Sequence, residues 1–310
     1  MTNTNQINPW KYVQADSVKD NPYLNPPKNK GNGKKPAEEP APTGTTTVTS
    51  AADFLVLENI VCVGADKKIF ERHDRLYVAK DVERNGNAHI DFTPYDAVTH
   101  FEKKGLFLPS FALTCNLVAA LYQNKGKADV KKVLEQYKDH GAGYGWQAQN
   151  TVIDWKGKKI IHYPQDKDFP EDGGDDKINA ASVGRARTTF SFVADDFEDM
   201  LLEEALQKRE FSKYIRNLTG LKDPSILVEI GKYFGKPAKV WVADDPEDAD
   251  YTAAAWFGCL SSNFNLSGNN NLNLNGAARG VRGERQRAGA PKNRTSQSKK
   301  KVSKKSNGKK

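Results

Sequence analysis

The chain has 310 residues, and its formal net charge of +8 comes from the C-terminal end, because residues 279–310 hold thirteen Lys or Arg and one Glu. The remainder is slightly acidic, so the sequence pI of about 9.1 does not describe the whole molecule. Three cysteines without paired spacing exclude a disulfide framework and a cysteine-rich zinc site.

Composition divides the chain into three parts. Residues 1–50 are rich in Pro, Lys and Asn, and they cannot bury enough apolar surface to offset the entropy of ordering them. We expect residues 1–50 to be disordered, residues 51–282 to form one domain, and residues 283–310 to be a disordered basic tail. The N-terminus lacks the features of a signal peptide, and the chain has no bilayer-spanning apolar stretch. We therefore expect a cytoplasmic protein without membrane contact, with association with a virus particle as an alternative.

Helix caps are clear in the first half of the domain. Thr93 and Pro94 are typical of a helix start, and that helix is expected to stop at Gly105. Ser110 caps the next predicted helix, whose apolar residues recur at helical spacing. The other predicted elements of this half are strands at residues 54–63 and 75–79 and a helix at residues 129–140.

The second half mixes strands and helices without a regular βαβ rhythm. Lys156-Gly157-Lys158 is expected to join two strands in a hairpin, and Gly220 and Gly235 are expected to stop two helices. The pattern predicts strands at residues 151–155, 159–163, 190–193, 239–243 and 253–260 and helices at residues 196–217 and 224–234. This mixture favours an α+β domain.

A cluster of asparagines follows the last of these strands. Its seven members are Asn263, Asn265, Asn269, Asn270, Asn271, Asn273 and Asn275. Asparagine favours turns because its amide competes for nearby backbone groups, so we expect an exposed polar loop. These amides, together with the aromatic residues Trp256 and Phe264, predict a ligand-binding surface. A solvated turn without a binding role is the alternative, and Trp256 fits the core better than a contact surface.

Two fragments resemble a known family. Residues 92–98 (Phe-Thr-Pro-Tyr-Asp-Ala-Val) and, after a short helix, residues 105–110 (Gly-Leu-Phe-Leu-Pro-Ser) are similar to the helix pair of the formylglycine-generating-enzyme-like branch of the C-type lectin folds. Trp256-Phe257, the polar segment and Gly280-Val281-Arg282 are similar to the closing strands of that branch. The resemblance implies a C-type-lectin-like α+β domain, in which residues 196–235 are a helical insertion.

The resemblance also implies a function. Bacterial and phage members of this branch include the variable proteins of diversity-generating retroelements, in which a reverse transcriptase randomises template adenines near the 3′ end of the gene. Codons that begin with two adenines are favoured targets, so the resemblance implies a hypervariable Asn-rich loop that binds a protein or glycan. Phe107 replaces the family's arginine, and the catalytic, copper-binding cysteine pair of the family has no counterpart around Cys259. We therefore expect a non-enzymatic binding protein without cofactor or metal.

Side chains capable of acid–base or metal chemistry are present without the required spacing. His140, His162 and Asp154 form no ligand pair such as His-x-x-x-His, and the acidic stretch at residues 165–177 is typical of a solvated loop. Cys115 lies on an apolar helix face, which favours a buried thiol over a nucleophile. No catalytic set can be assembled from the sequence.

The basic tail supports a different function. Its cations are interleaved with Ser, Gly, Asn and Gln and with no aromatic residue, a composition that attracts phosphates without reading bases. The alternative hypothesis is therefore a nucleic-acid-associated phage or bacterial structural protein that acts through this tail, although a solubilising extension has the same composition. The candidate contacts are Arg285, Arg287, Lys292, Arg294, Lys299, Lys300, Lys301, Lys304 and Lys305.

Overall fold

A long hairpin organises the smaller of two β-sheets. The computed structural model describes residues 46–86, 88–138, 146–163, 188–260, 262–270 and 274–284, without the side chains of residues 89 and 270. The small sheet has the strand order β1-β2-β3-β13, with every pair antiparallel. Its strands are β1 (Val48–Ser50), β2 (Phe54–Val63), β3 (Ile69–Ala79) and β13 (Val281–Glu284).

The hairpin buries one face and leaves the other partly exposed. Alternate residues of β2 and β3, such as Leu55, Leu57, Leu76 and Val78, are fully buried, as expected for strands with one face on a core. The predicted strand at residues 54–63 is therefore confirmed. The second strand begins at Ile69 and not at residue 75. The prediction missed its first half because polar and charged side chains at residues 71–74 interrupt the apolar pattern.

The boundaries of the folded body differ from the expected ones at both ends. β1 begins at Val48, which is fully buried, so residues 48–50 belong to the body and not to the N-terminal extension. β13 continues to Glu284, beyond the expected end at residue 282. In β13 the backbone pairs with the free edge of β3, and this pairing needs no apolar side chain at Gly283. Composition therefore could not predict that the strand continues to Glu284.

Three helices follow the hairpin, and both predicted caps are confirmed. The side chain of Thr93 accepts a hydrogen bond from the backbone N–H of Asp96, and that of Ser110 accepts one from Leu113. Gly105 has a φ of +68°, in the left-handed region that ends many helices. The helices are α1 (Pro94–Lys103), α2 (Phe111–Gln123) and α3 (Ala128–Lys138). A short hairpin, β4 (Arg84–Asn85) and β5 (Ala88–His89), precedes them.

The large sheet has seven strands in the order β8-β7-β6-β11-β12-β10-β9. β10 and β12 are parallel, and the other pairs are antiparallel. The hairpin predicted around Gly157 is confirmed. The strands are β6 (Trp146–Asp154), β7 (Lys159–His162), β8 (Thr188–Ser191), β9 (Met200–Leu201), β10 (Ala238–Trp241), β11 (Thr252–Cys259) and β12 (Phe264–Asn270).

The long helix predicted at residues 196–217 is wrong in its first half. Met200 and Leu201 pair with β10 as the edge strand β9, and a break at Lys208 separates two helices. Sheet pairing thus overrides the helical propensity of the Leu- and Glu-rich sequence. Gly220 and Gly235 end their helices with φ values of +60° and +72°, as predicted. The helices of this region are α4 (Leu202–Ala205), α5 (Arg209–Thr219) and α6 (Ile226–Phe234).

Helix α2 lies at the centre of the main core. It packs against β2 of the small sheet, against β6 and β11 of the large sheet, and against α3, α5 and α6. A second, smaller apolar cluster lies under α1 on the opposite face of the large sheet and includes Val98, Phe101, Ala148 and Trp256. The protein therefore belongs to the α+β class, as the sequence predicts.

Candidate functional site

Half of the Asn-rich segment is a strand and not a loop. Residues 264–270 form β12, which lies inside the large sheet between β11 and β10. Phe264 and Leu266 alternate with Asn265 and Ser267, and this period of two matches the pairing on both sides. The expectation of an exposed loop is therefore wrong for these residues. The density of asparagine hid the alternation, and tertiary pairing overrode the turn preference of the residue.

The predicted contact residues lie in different environments. Trp256, Phe264 and Asn265 are fully buried, which confirms Trp256 as a core residue. Asn263 and Asn269 are half-buried, and Asn275 is exposed. Asn271, Asn273 and the side chain of Asn270 lie outside the described residues.

The register of the large sheet aligns side chains from four strands in two cross-strand rows. These rows lie on the face opposite to the one where Phe257 meets Phe111 of α2, with ring centroids 5.8 Å apart. The first row is Trp241, Ser267, Trp256 and Ala148, and the second is Lys239, Asn265, Gly258 and Trp146. We call the side chains of Trp146, Trp241, Trp256 and Asn265 the indole–amide face.

One hydrogen bond fixes the amide of this face. The indole Nε1–H of Trp241 donates to Oδ1 of Asn265 at 2.7 Å. Because an indole can only donate, the atom that it meets must be the amide oxygen, and the amide nitrogen Nδ2 is left as a donor. That nitrogen is buried and has no hydrogen-bond partner among the described residues.

A second donor on this face is also without a described acceptor. The Nε1–H of Trp256 is buried and has no partner in the described part of the chain. A buried donor without an acceptor costs about 1–3 kcal/mol, so native structures retain few of them. The two donors lie on adjacent rows of the same sheet face.

Aromatic and basic groups surround the two donors. Trp146 packs edge-on against Trp256, with centroids 6.3 Å apart and planes at 83°. Trp146 and Trp241 are both half-buried, so part of each ring faces outward. The ammonium of Lys239 lies 4.0 Å from the centroid of the Trp241 ring and 3.9 Å from a carboxylate oxygen of Asp199. The face therefore combines donors, a cation and flat apolar surface.

The segment that returns toward β13 supports this face from the side. Phe92 and Gly276 form an antiparallel bridge, with backbone bonds of 2.8 and 3.0 Å. Gly276 lies so close to Trp256 that an added Cβ would meet the indole at 2.6 Å. Glycine at this position lets the backbone hold the Trp256 ring in place.

The candidate acid–base residues that are described have structural roles. His162 is fully buried, with Nδ1 3.0 Å from Oγ1 of Thr151 and Nε2 2.9 Å from the carbonyl of Asn217. Asp154 accepts a hydrogen bond from the N–H of Gly157 and so stabilises the hairpin turn. Burial raises the pKa of the Cys115 thiol well above its usual range. His140 and the acidic stretch at residues 165–177 lie outside the described residues.

The small sheet also contains a buried polar network that the sequence pattern did not predict. Nε2 of His73 lies 2.6 Å from Oε1 of Glu71, and the thiol of Cys62 contacts the other carboxylate oxygen at 3.8 Å. Glu71 and His73 are buried and alternate with half-buried residues on β3, and extending the predicted strand toward its start would have placed them inward. In the described ranges no group of three or more His, Cys, Asp or Glu is arranged to hold a metal ion.

The nine basic residues proposed to contact nucleic acid, from Arg285 to Lys305, lie outside the described residues. Two arginines just before them are described and differ. Arg279 is fully buried, and its guanidinium donates to the carbonyl of Ala79 and to the side chain of Gln136. Arg282 is exposed on β13. The first therefore anchors the chain and the second is available to a partner.

Comparison of the chain with protein-family models, with curated proteins and with solved structures gave no match. Within the described ranges, no helix has both the length and the apolar character needed to cross a membrane.

Proposed function

We propose that this protein is a non-enzymatic recognition protein whose ligand contacts the indole–amide face. The observation that carries the proposal is the pair of buried N–H donors, Asn265 Nδ2 and Trp256 Nε1, neither of which has an acceptor among the described residues. Both donors are inaccessible to solvent, so hydroxyl or carbonyl oxygens of a glycan or protein would accept these bonds after the side chains that cover them move. The outward parts of Trp146 and Trp241 would add the apolar contact on which binding surfaces commonly depend.

Alternate residues of β12 have different roles, because they lie on opposite faces of the sheet. Phe264 and Leu266 lie in the main core, whereas Asn265 and Ser267 lie on the opposite face. Substitutions at the second pair of positions can therefore change contacts while the first pair keeps the scaffold folded. The half-buried Asn263 and Asn269 and the exposed Asn275 extend the surface at the two ends of the strand.

Three features support a lectin-like scaffold of the kind used by retroelement variable proteins. Both helices of the resembling fragment are present, with Thr93 and Ser110 as caps. Gly280 precedes the closing strand β13, which begins with Val281 and Arg282 and pairs with β3 of the N-terminal hairpin. The asparagines are concentrated on and beside the strand that faces the proposed ligand.

Sequencing the gene from several isolates tests the proposal. We expect substitutions to concentrate between residues 256 and 275, at positions on the sheet face opposite the main core such as 265 and 267, while residues 264 and 266 stay apolar. We also expect AAC or AAT codons for the asparagines and a near-copy of the segment beside a reverse transcriptase gene. Uniform variation along the gene, together with the lack of such a copy, would exclude a retroelement variable protein.

The basic tail supports a second candidate function, association with nucleic acid. Residues 285–310 contain eleven Lys or Arg and no Asp or Glu, and they start where β13 ends. Such a segment binds phosphates by releasing counterions, and the affinity falls steeply with salt. Deletion of residues 285–310 should abolish salt-sensitive DNA and RNA binding and leave the thermal unfolding of the body unchanged. If binding survives the deletion, the tail is not the binding element.

A further inference from the structure

Two Asn-Gly pairs lie in the described part of the chain, and their surroundings differ. Asn85-Gly86 lies at the tip of the β4–β5 hairpin, and Asn275-Gly276 lies at the end of the Asn-rich segment. Both asparagines are exposed. An asparagine that precedes glycine is chemically labile, because glycine has no Cβ to hinder the approach of its backbone nitrogen to the asparagine side chain.

The Asn85-Gly86 pair is open to solvent and weakly restrained. Gly86 is exposed, and a Cβ added to it would meet no atom of the described residues within 4 Å, apart from its chain neighbours. Its N–H donates no backbone hydrogen bond within the described ranges. β4 and β5 are two-residue strands that form a sheet of their own, and such a hairpin has little stability by itself. The nitrogen of Gly86 can therefore approach the Asn85 side chain without first losing a described hydrogen bond.

The base of this hairpin is fixed, in contrast to its tip. The N–H of Glu83 donates to the carbonyl of Ala278 at 2.9 Å, and the N–H of Ile90 donates to the carbonyl of Glu83 at 3.0 Å. A change at Asn85 therefore leaves the attachment of the hairpin to the body intact.

The Asn275-Gly276 pair has the same sequence but a restrained glycine. Gly276 is buried, and its N–H donates to the carbonyl of Phe92 at 3.0 Å. A Cβ added to it would meet the indole of Trp256 at 2.6 Å and the carbonyl of Trp146 at 2.9 Å. A reaction at Asn275 must first pull this nitrogen out of its bridge to Phe92, which requires local opening of the structure.

We propose that Asn85 is a site of spontaneous deamidation and isoaspartate formation, whereas the fold protects Asn275. The backbone nitrogen of Gly86 loses its proton and attacks Cγ of Asn85. The new bond joins this nitrogen to Cγ, the bond from Cγ to Nδ2 breaks, and ammonia leaves with the proton. Water then opens the resulting succinimide ring. Its addition at Cγ gives aspartate, and its addition at the main-chain carbonyl carbon gives isoaspartate.

Both products replace a neutral amide by a carboxylate at the tip of the hairpin. Isoaspartate also adds a methylene group to the main chain, which disturbs the register that pairs Asn85 with Ala88. Because the base of the hairpin stays attached, we expect deamidation to open the tip and to leave the thermal unfolding of the body unchanged. This proposal is independent of both proposed binding functions.

The test follows deamidation of the full chain in mildly alkaline buffer by peptide mass spectrometry. Trypsin releases residues 85–103 as one peptide and residues 240–279 as another, and fragmentation of each peptide assigns the modified asparagine. Because the N–H of Gly276 must leave a buried pairing, Asn275 should react about tenfold or more slowly than Asn85 in the folded chain. In concentrated urea the two rates should become similar, since both pairs are then equally exposed.

Asn85→Gln keeps the amide on a longer side chain that cannot close the same ring, so residue 85 of this variant should stay unmodified under the same conditions. Asn275→Gln is the matched control and should leave the rate at Asn85 unchanged. Thermal unfolding confirms that each variant is folded.

Three results overturn the proposal. The first is an Asn85 that stays unmodified in the folded chain while the chain in urea reacts. The second is a rate at Asn275 that equals or exceeds the rate at Asn85 in the folded chain. The third is a difference between the two sites that persists unchanged in urea, which would assign the contrast to the neighbouring sequence and not to the fold.

Discussion

Trp241 donates its indole N–H to Oδ1 of Asn265 at 2.7 Å and so joins two parallel strands whose residues are 24 positions apart in the chain. This bond occupies the amide oxygen of Asn265 and leaves the amide nitrogen Nδ2 as a donor without a described partner. Strand pairing, and not a loop, therefore fixes the orientation of the Asn265 amide.

Asn265→Ala should destabilise the protein by about 1–2 kcal/mol, because the part-buried indole N–H of Trp241 loses its acceptor. Asn263→Ala is the control, since Asn263 lies in the turn before β12 and, among the described residues, its side chain bonds to the exposed neighbour Ser262 alone. That change should stay within about 0.5 kcal/mol of the wild type. Urea unfolding measures both free energies. Equal stability of the two variants would contradict the role assigned to the Trp241–Asn265 bond.

Gly276→Ala should destabilise the region that supports Trp256. The new Cβ would lie 2.6 Å from the indole ring and 2.9 Å from the carbonyl of Trp146, and the second of these contacts cannot relax by a side-chain rotation. We expect a loss of about 1–3 kcal/mol and a change in the near-UV circular dichroism of the tryptophans. Gly126→Ala is the control, because no atom of the described residues, apart from its chain neighbours, lies within 4 Å of its added Cβ. An unchanged spectrum for Gly276→Ala would show that the backbone there can move.

Local signals in the sequence predicted much of the fold, because caps, apolar alternation and glycine stops act within a few residues. Thr93, Ser110, Gly220 and Gly235 all have the predicted roles. The failures involve pairing between distant segments. β1 and β9 are short strands that form by pairing with β2 and β10. Their own sequences are too short to show a strand pattern.

The candidate site was predicted in part for the same reason. Composition identified the Asn-rich segment and Trp256, but it could not show that alternate residues of β12 face opposite sides of a sheet. Trp241 and Trp146 come from other strands, and only the register brings them beside Asn265. A surface assembled from four strands has no signature within any one of them.

Glu71→Ala should cost more stability than Glu71→Gln. Alanine removes the acceptor of the buried His73 and Cys62 groups, and a buried donor left without a partner costs about 1–3 kcal/mol. Glutamine retains one carbonyl oxygen and nearly the same volume, so its loss should be smaller. Glu58→Ala, which removes an exposed ion pair on the same hairpin, should change the free energy of unfolding by less than about 1 kcal/mol. A larger loss for Glu58→Ala than for Glu71→Ala would refute this ranking.

Ser110→Ala should be more damaging than Thr93→Ala, although both remove a helix cap. The Ser110 hydroxyl is fully buried, accepts from Leu113 and donates to Tyr163 at 3.1 Å. Thr93 is half-buried, so water can replace its bond to Asp96. We expect about 2 kcal/mol for Ser110→Ala and about 1 kcal/mol or less for Thr93→Ala, measured by chemical unfolding. The reverse order would show that burial does not decide the strength of these caps.

The stability of the protein should fall at alkaline pH, and Cys259 should account for part of the loss. Burial raises the pKa of the Cys259 thiol to about 12, whereas an unfolded cysteine titrates near a pKa of about 8.5. Between these values the unfolded chain releases a proton that the folded chain keeps, so the stabilisation is complete below about pH 8.5 and is lost as the pH rises toward 12.

Cys259→Val removes this titration and keeps an apolar side chain. Between pH 9 and 10.5 the wild type should lose up to about 1.4 kcal/mol per pH unit more than the variant. Urea unfolding under reducing conditions at several pH values measures the two slopes. Other titrating groups affect both proteins alike, and a packing change shifts the whole curve of the variant without altering its slope. Parallel slopes would therefore show that the buried thiol does not control the alkaline loss.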